Sequence, residues 1–107
     1  MRVDVLYFEG CPNHDGAAQM VRRVLDREEI RAEVRTIEVP DPETAQALGF
    51  LGSPSIRVNG TDIEDGRKDD PPFYGCRTYT TQGKTAGLPP EDWLTAALCR
   101  HAGQASL

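Results

Sequence analysis

Near the N-terminus, the two sets of alternating positions are both mostly apolar. One set is Val3, Val5 and Tyr7, and the other is Asp4, Leu6 and Phe8. A strand with two apolar faces is typical of the interior of a sheet that is covered on both sides. The pattern therefore predicts a central first strand.

Apolar positions then recur at helical spacing, which predicts a first helix over Pro12–Glu28 with Cys11 as its N-cap. A second helix is predicted over Asp41–Leu48, because a capping aspartate, a proline and a glutamate open it. A last helix should begin in the Pro-Pro-Glu-Asp sequence of residues 89–92 and end at Gly103. Cys99 lies beside the apolar stripe of that helix and is expected to be buried.

Three further runs predict strands. Ile30–Val39 is rich in β-branched residues, and Ser55–Val58 is a short apolar run. The Asn-Gly pair at residues 59–60 is a hairpin signal that should return the chain along Thr61–Ile63. The residues from Glu64 to Leu88 are polar and rich in Gly, Pro and Thr, which predicts an irregular insertion of the kind that is usually functional or mobile.

This order of elements predicts one α/β domain over residues 1–107 with a four-stranded mixed sheet and helices on both faces. The first crossover should be right-handed, so that strands one and two are parallel. The hairpin then supplies the other two strands. One alternative stays open, because Cys76–Thr81 is itself β-prone and competes with Thr61–Ile63 for the place of the fourth strand.

Composition and charge narrow the classes of function. Hydrophobic residues make up 38% of the chain and charged residues 27%, as in an ordinary soluble protein. The net charge of −5 argues against nucleic acid as a partner. We expect no membrane span and no signal peptide, and therefore a cytoplasmic location, because the apolar runs are short and interrupted by charge. The three cysteines are then expected to be free, catalytic or metal-binding thiols rather than a disulfide framework.

Cys11 is the strongest candidate for chemistry. The start of a helix offers unpaired N–H groups and partial positive charge, and both favour a thiolate over a thiol. His14 lies one turn further on, where an imidazolium would act in the same direction. The alternative is that Cys11 is a small buried apolar residue and His14 a solvated residue of the first turn.

The element order, with a cysteine after the first strand and a proline before the third, resembles the thioredoxin-like fold, arranged βαβ-α-ββα. The detail is similar to small bacterial thioredoxin-like proteins, through Tyr-Phe-Glu-Gly-Cys-Pro-Asn at residues 7–13 and Gly-Phe-Leu-Gly-Ser-Pro-Ser-Ile-Arg-Val-Asn-Gly at residues 49–60. The resemblance implies that the peptide bond before Pro54 is cis and faces Cys11. It also implies that Cys11 is the first cysteine of a Cys-x-x-Cys motif whose second position is occupied here by His14. A cis turn would leave the backbone of Ser53 free to bind an extended ligand.

The chain is also similar, at fewer positions, to the thiol-bearing part of alkylmercury lyases. In those enzymes a cysteine follows a strand, a second cysteine lies well downstream, and a nearby acid supplies a proton. Cys11, Cys76 and Asp15 match these three roles.

Cys76 is the second thiol of interest, and Arg77 and Tyr79 flank it at alternating positions. If the long insertion leaves the sheet at the edge that carries Cys11, Cys76 can form a disulfide with Cys11 or share a soft metal ion with it. If Cys76 instead begins the fourth strand, it starts at the far edge and cannot reach. Arg77 can hold an anionic substrate, or these two side chains simply form an exposed face.

Three functions are compatible with these residues. The first is thiol–disulfide exchange with a partner protein or a small thiol, with Cys11 as nucleophile and Cys76 as resolving thiol. The second is cleavage of carbon–mercury bonds, or soft-metal binding, by Cys11 and Cys76. The third is a non-catalytic binding module. No cofactor and no resident metal are expected, and the sequence indicates no oligomeric state.

Overall fold

A computed structural model describes residues 1–67 and 69–105 of the chain. The described residues form an α/β structure with nine helices and strands. In chain order these are β1 Arg2–Tyr7, α1 His14–Arg27, β2 Glu33–Glu38, α2 Pro42–Leu48, β3 Ser55–Val58, β4 Thr61–Asp62, β5 Tyr79–Thr81, β6 Lys84–Ala86 and α3 Glu91–Ala105. Within this part of the chain, no helix has both the length and the apolar character needed to cross a membrane.

Within the described residues, the main sheet has four strands in the order β2-β1-β3-β4. β1 is parallel to β2 and antiparallel to β3, and β4 is antiparallel to β3. The mixed sheet and the interior position of β1 are therefore confirmed. The return of the chain along Thr61 and Asp62 is also confirmed, so the competing assignment of Cys76–Thr81 as the fourth strand of this sheet is wrong.

The two apolar faces of β1 belong to two separate clusters. Val3 and Val5 pack with buried residues of β3, α1 and α3, whereas Leu6 packs with Val39, Ala45 and Phe50 on the α2 side. Side chains alternate between the faces of a strand, so each face of β1 needs its own cover. Fully burying a valine or leucine contributes about 1.5–3 kcal/mol, which makes these two layers the main source of stability.

Asp4 is the polar exception on β1, and it is buried. Its carboxylate accepts hydrogen bonds from Arg35, which lies opposite on β2 with Nε at 2.9 Å, and from Arg2 with Nε at 3.3 Å. A buried carboxylate is tolerated when it is paired in this way. The arginines of the sheet therefore explain how a buried charge is tolerated between the apolar residues of β1.

Two predicted helix boundaries are wrong. The N-cap of α1 is Asn13 rather than Cys11, because Cys11 closes the turn of residues 8–11, in which its N–H donates to the Phe8 carbonyl at 3.2 Å. At the other end of the chain, α3 continues through Gly103 to Ala105. Glycine costs a helix only about 1 kcal/mol relative to alanine, so it weakens a helix without ending it.

The insertion from Glu64 to Leu88 is only partly irregular, because β5 and β6 form a hairpin within it. The turn uses Gln82 and Gly83, with φ of 52° and 77°. Two left-handed residues in succession are the geometry that two-residue hairpins prefer, normally with asparagine or aspartate first. Glutamine at that position gave no recognisable turn signal.

Candidate functional site

Cys11 lies in the turn between β1 and α1 and is almost buried, with 6% of its surface exposed. Gly10, with φ of 89°, lets the chain turn after Phe8. The thiol therefore lies two residues before the helix cap, at the positive end of α1, with a narrow opening to solvent.

Ser53 connects this turn to the loop before β3. Its hydroxyl accepts a hydrogen bond from the Phe8 N–H at 3.3 Å, and Phe8 in turn accepts from Cys11. The bond between Ser53 and Pro54 is cis, as the family resemblance implied. Ser53 and Pro54 are both buried. The cysteine turn and the Ser-Pro loop are therefore direct neighbours.

Cys76 lies on the other side of Ser53. An isolated parallel β-bridge pairs the two residues: the Ser53 N–H donates to the Gly75 carbonyl at 2.8 Å, and the Arg77 N–H donates to the Ser53 carbonyl at 2.9 Å. Cys76 is exposed, and no disulfide links it to Cys11, since both are free thiols. Ser53 is thus hydrogen-bonded to the turn that contains Cys11 and paired with Cys76.

The same bridge corrects one expectation about Ser53. Its backbone was expected to be open to an extended ligand, but both its N–H and its carbonyl are already hydrogen-bonded to the chain's own insertion. Pro54 is covered as well. The residue is buried, and its backbone carbonyl accepts a hydrogen bond from the Tyr79 hydroxyl at 2.6 Å.

We call residues 73–77 the cysteine segment. Its first half is held by hydrogen bonds and by contact between aromatic rings. The Phe73 N–H donates to the Phe50 carbonyl at 2.7 Å, and the Tyr74 hydroxyl donates to the Val39 carbonyl at 3.1 Å. The Tyr74 ring also meets the Phe8 ring edge-on, with centroids 5.4 Å apart. These contacts fix the segment against the α2 side of the sheet.

Arg77 anchors the other end of the cysteine segment from inside the protein. The guanidinium binds Asp62 in a bidentate pair at 2.7 and 2.9 Å, and also contacts Glu64 at 2.9 Å and the Ser55 hydroxyl at 2.9 Å. It lies over the Tyr79 ring, 4.5 Å from the centroid. Two acids and an aromatic face compensate for its loss of water.

Neither Arg77 nor Tyr79 is placed as the sequence suggested. Both side chains are buried, at 3% and 1% exposure, so they neither form an exposed face nor project toward a substrate. Burial alone would lower the pKa of Arg77, but the hydrogen bonds that it donates to Asp62 and Glu64 raise the pKa above its ordinary value. Burial also raises the pKa of Tyr79. At neutral pH the pair is therefore a fixed cation beside a neutral phenol.

His14 and Asp15 open α1 next to the cysteine turn. The His14 ring stacks on Tyr7 with centroids 4.2 Å apart and planes 12° apart, and its Nε2 lies 3.2 Å from Asp15 Oδ1. Among the described residues no hydrogen bond joins His14 to Cys11. The structure therefore places the imidazole near the turn, but with Tyr7 and Asp15 as its partners.

Two close approaches of backbone to side chain enclose the site, and sequence reasoning missed both. A Cβ on Gly52 would lie 2.9 Å from the Arg77 Cβ, and one on Gly87 would lie 2.2 Å from the Asn13 amide. The insertion thus packs against the loop before β3 at Gly52 and against the N-cap of α1 at Gly87. The glycines were the only signal in the sequence, and a glycine does not show which residue it packs against.

Cys99 is exposed on α3, so the expectation that it is buried is wrong. The buried positions of that helix include Leu94, Ala97 and Leu98. The residue after Leu98 is turned about 100° around the helix axis, which places Cys99 toward solvent.

Two open grooves of the described structure lie away from the thiols. One of about 490 Å³ is lined by the residues around Arg57, Asp62 and Arg67, and neither Cys11 nor Cys76 lines it. The part of the chain described here contains no cluster of three or more His, Cys, Asp or Glu side chains able to hold a metal ion. The candidate site is therefore the region around Cys11, Ser53 and Cys76, outside both grooves.

Comparisons with models of known families, with curated proteins and with solved structures gave no significant match.

Proposed function

We propose that the chain is a thioredoxin-like domain that carries out thiol–disulfide exchange, with Cys11 as the nucleophile and Cys76 as the resolving thiol. Support for the family comes from the strand order, from the cysteine between β1 and α1, and from the Ser53–Pro54 step that precedes β3. A reducing cytoplasm would then return the pair to its dithiol form.

The observation that carries this proposal is the β-bridge between Ser53 and Cys76. Ser53 also binds the turn that contains Cys11 through Phe8. A resolving thiol has to lie within disulfide reach of the first, with Cα atoms less than about 7 Å apart. Ser53 contacts the Cys11 turn through its hydroxyl and Cys76 through its backbone, so the two thiols share this residue as a neighbour.

The chemistry has two steps. The Cys11 thiolate attacks a disulfide R–S–S–R, which forms a mixed disulfide and releases one RS⁻. The Cys76 thiolate then attacks the Cys11 sulfur, which forms a Cys11–Cys76 disulfide and releases the second RS⁻. The protein loses two electrons and two thiol protons, and the partner is reduced to two thiols. The positive end of α1 stabilises the negative charge that sulfur carries during these steps.

Mass-spectrometric mapping of cysteine linkages, before and after mild oxidation, tests the proposal. We expect a Cys11–Cys76 disulfide within the monomer after oxidation, in the wild type and equally in Cys99→Ser. In Cys76→Ser, Cys11 should instead accumulate as a mixed disulfide with the oxidant. A wild-type protein that never forms the Cys11–Cys76 link, under any oxidising condition that modifies Cys99, would contradict the assignment.

The proximity of the two thiols to Ser53 also favours a second candidate, in which Cys11 and Cys76 bind a soft metal ion or cleave an organomercurial. Asp15 would be the proton donor, but its side chain is 84% exposed and faces His14. This function requires both thiols, so Cys76→Ser should abolish release of the hydrocarbon from an alkylmercury compound while Cys11 still reacts with iodoacetamide. A binding module without catalysis would show neither exchange nor cleavage.

A further inference from the structure

We propose that the disulfide which Cys11 reduces belongs to a low-molecular-weight compound and not to an extended polypeptide. This inference rests on the proposed exchange function and names its class of substrate. It follows from how the insertion occupies the edge of the site.

An extended polypeptide usually binds at a site of this kind by adding a strand, which requires a free backbone N–H and a free carbonyl on the receiving chain. Ser53 is the residue next to the Cys11 turn that would supply both. Its N–H is bonded to Gly75 at 2.8 Å and its carbonyl to Arg77 at 2.9 Å. The cysteine segment therefore already fills the strand position beside Ser53.

The cysteine segment is not free to move aside. Arg77 is 3% exposed and is bonded to Asp62 and Glu64, so withdrawing it would leave the carboxylate of Asp62 without its cation. At the other end, Tyr74 is bonded to the Val39 carbonyl. A polypeptide competing for Ser53 would have to break both anchors for the sake of two backbone hydrogen bonds.

The end of the insertion also packs against the start of α1. The backbone of Gly87 packs against the Asn13 side chain, and Leu88 packs on Gly16 in the first turn of α1. Only 6% of the surface of Cys11 is exposed, and an opening this small favours a disulfide with small substituents over a bulky one. Exchange needs access of the attacking thiolate to the disulfide, and this opening selects by size.

The reaction balances with a small dialkyl disulfide as the oxidant. Cys11 breaks its S–S bond and forms the mixed disulfide, and Cys76 closes the internal disulfide and expels the second small thiol. The two electrons come from the protein's dithiol, and the two protons of that dithiol leave with the two small thiols.

The test compares two disulfide probes on a protein whose only cysteine is Cys11, made as Cys76→Ser with Cys99→Ser. One probe is 2-hydroxyethyl disulfide. The other is an uncharged ten-residue peptide whose central cysteine carries the same hydroxyethyl disulfide, and only the adduct of Cys11 with the peptide is counted, because its formation releases the same small thiol. The rates are divided by those of N-acetylcysteine amide with the same probes. We expect the folded protein to disfavour the peptide by about tenfold or more, because the cysteine segment occupies the position that the peptide backbone would take beside Ser53.

A corrected rate ratio near one would overturn the substrate class while leaving exchange intact. Failure of both probes to react would remove the exchange function itself, and the substrate class with it. Tyr74→Phe, which loosens one anchor of the cysteine segment, should raise the peptide rate about two- to fivefold, whereas Thr85→Val in the distant hairpin should not. An unchanged peptide rate in Tyr74→Phe would show that the segment is not the barrier.

Discussion

Replacement of Arg77 by methionine is expected to destabilise the fold strongly, because it removes a buried cation from beside two acids. The Arg77 side chain is 2% exposed, and its partners Asp62 and Glu64 are 10% and 23% exposed. Methionine fills a similar volume but offers no hydrogen-bond donor. Removing one partner of a buried ion pair costs about 3–5 kcal/mol, since the other charge stays buried without compensation.

The lower end of that range is the better expectation here. Asp62 keeps one hydrogen bond, from the Glu64 N–H at 2.8 Å, and Glu64 keeps its contact with Arg67 at 2.9 Å. The buried Ser55 hydroxyl loses its contact with Arg77 but still donates to the Gly52 carbonyl at 2.6 Å. We therefore expect a loss of about 3 kcal/mol in the free energy of unfolding.

Arg67 provides a matched control, because it binds the same oxygen of Glu64 from the solvent side. Its side chain is 31% exposed and also pairs with Asp70. An ion pair open to water contributes about 0–1 kcal/mol, so Arg67→Met should be nearly neutral. The two variants remove the same charge and differ in burial.

Urea unfolding, followed by the fluorescence of the chain's one tryptophan, measures both variants. Trp93 meets Tyr79 edge-on at 6.1 Å, so its emission reports on the region around Arg77. With a urea dependence of about 1–3 kcal/mol per molar, Arg77→Met should lower the midpoint by about 1–3 M and Arg67→Met by a few tenths. Equal shifts in the two variants, or a loss below about 1 kcal/mol for Arg77→Met, would refute the argument from burial.

Two further outcomes are expected. Gly52→Ala should destabilise the protein more than Gly60→Ala. Both glycines have positive φ, of 104° and 86°, but only a Cβ at Gly52 meets other atoms, at 2.9 Å from Arg77. Thermal unfolding of the two variants checks this, and equal losses of stability would exclude the close approach as the cause. Asp41→Ala should destabilise at neutral pH, because hydrogen bonds with Thr44 hold the pKa of Asp41 below its usual range. The stabilisation from Asp41 is present above about pH 4 and is lost as the pH falls through the lowered value, so the two stability curves, measured by denaturation between pH 2 and pH 7, should converge at the acidic end; a constant gap would contradict it.

The main sheet could be predicted because its signals are local. The two apolar faces of β1 required cover on both sides, and the Asn59-Gly60 hairpin fixed where the chain turns back. The N-cap of α2 was equally legible, since Asp41 accepts from the Thr44 N–H at 2.7 Å. In each case the residue and its partner lie close in the sequence, or follow from the strand period.

The surroundings of Cys11 could not be predicted in the same way, because they depend on contacts between distant segments. The residues near Ser53 in the sequence do not indicate that Gly75 and Arg77 bind its backbone. The side chain of Arg77 looked available to a substrate, since its acidic partners lie thirteen and fifteen residues away. The sequence alone does not show whether a charged residue in a polar loop is buried, because burial depends on where the loop folds.

Arg77 and Cys76 nevertheless constrain each other, because they are neighbours on an extended chain. Successive side chains of such a chain point to opposite sides, and burial follows this rule: Arg77 and Tyr79 are buried, whereas Cys76 and Thr78 are exposed. Since Asp62 draws Arg77 inward, Cys76 has to face outward at the height of Ser53. The ion pair therefore positions the thiol, and Arg77→Met should lose the oxidised Cys11–Cys76 link under conditions where Arg67→Met retains it. Mass mapping without urea, at a temperature where both variants are folded, measures the yield of this link. An Arg77→Met protein that still forms the link in full yield would show that Arg77 does not position Cys76.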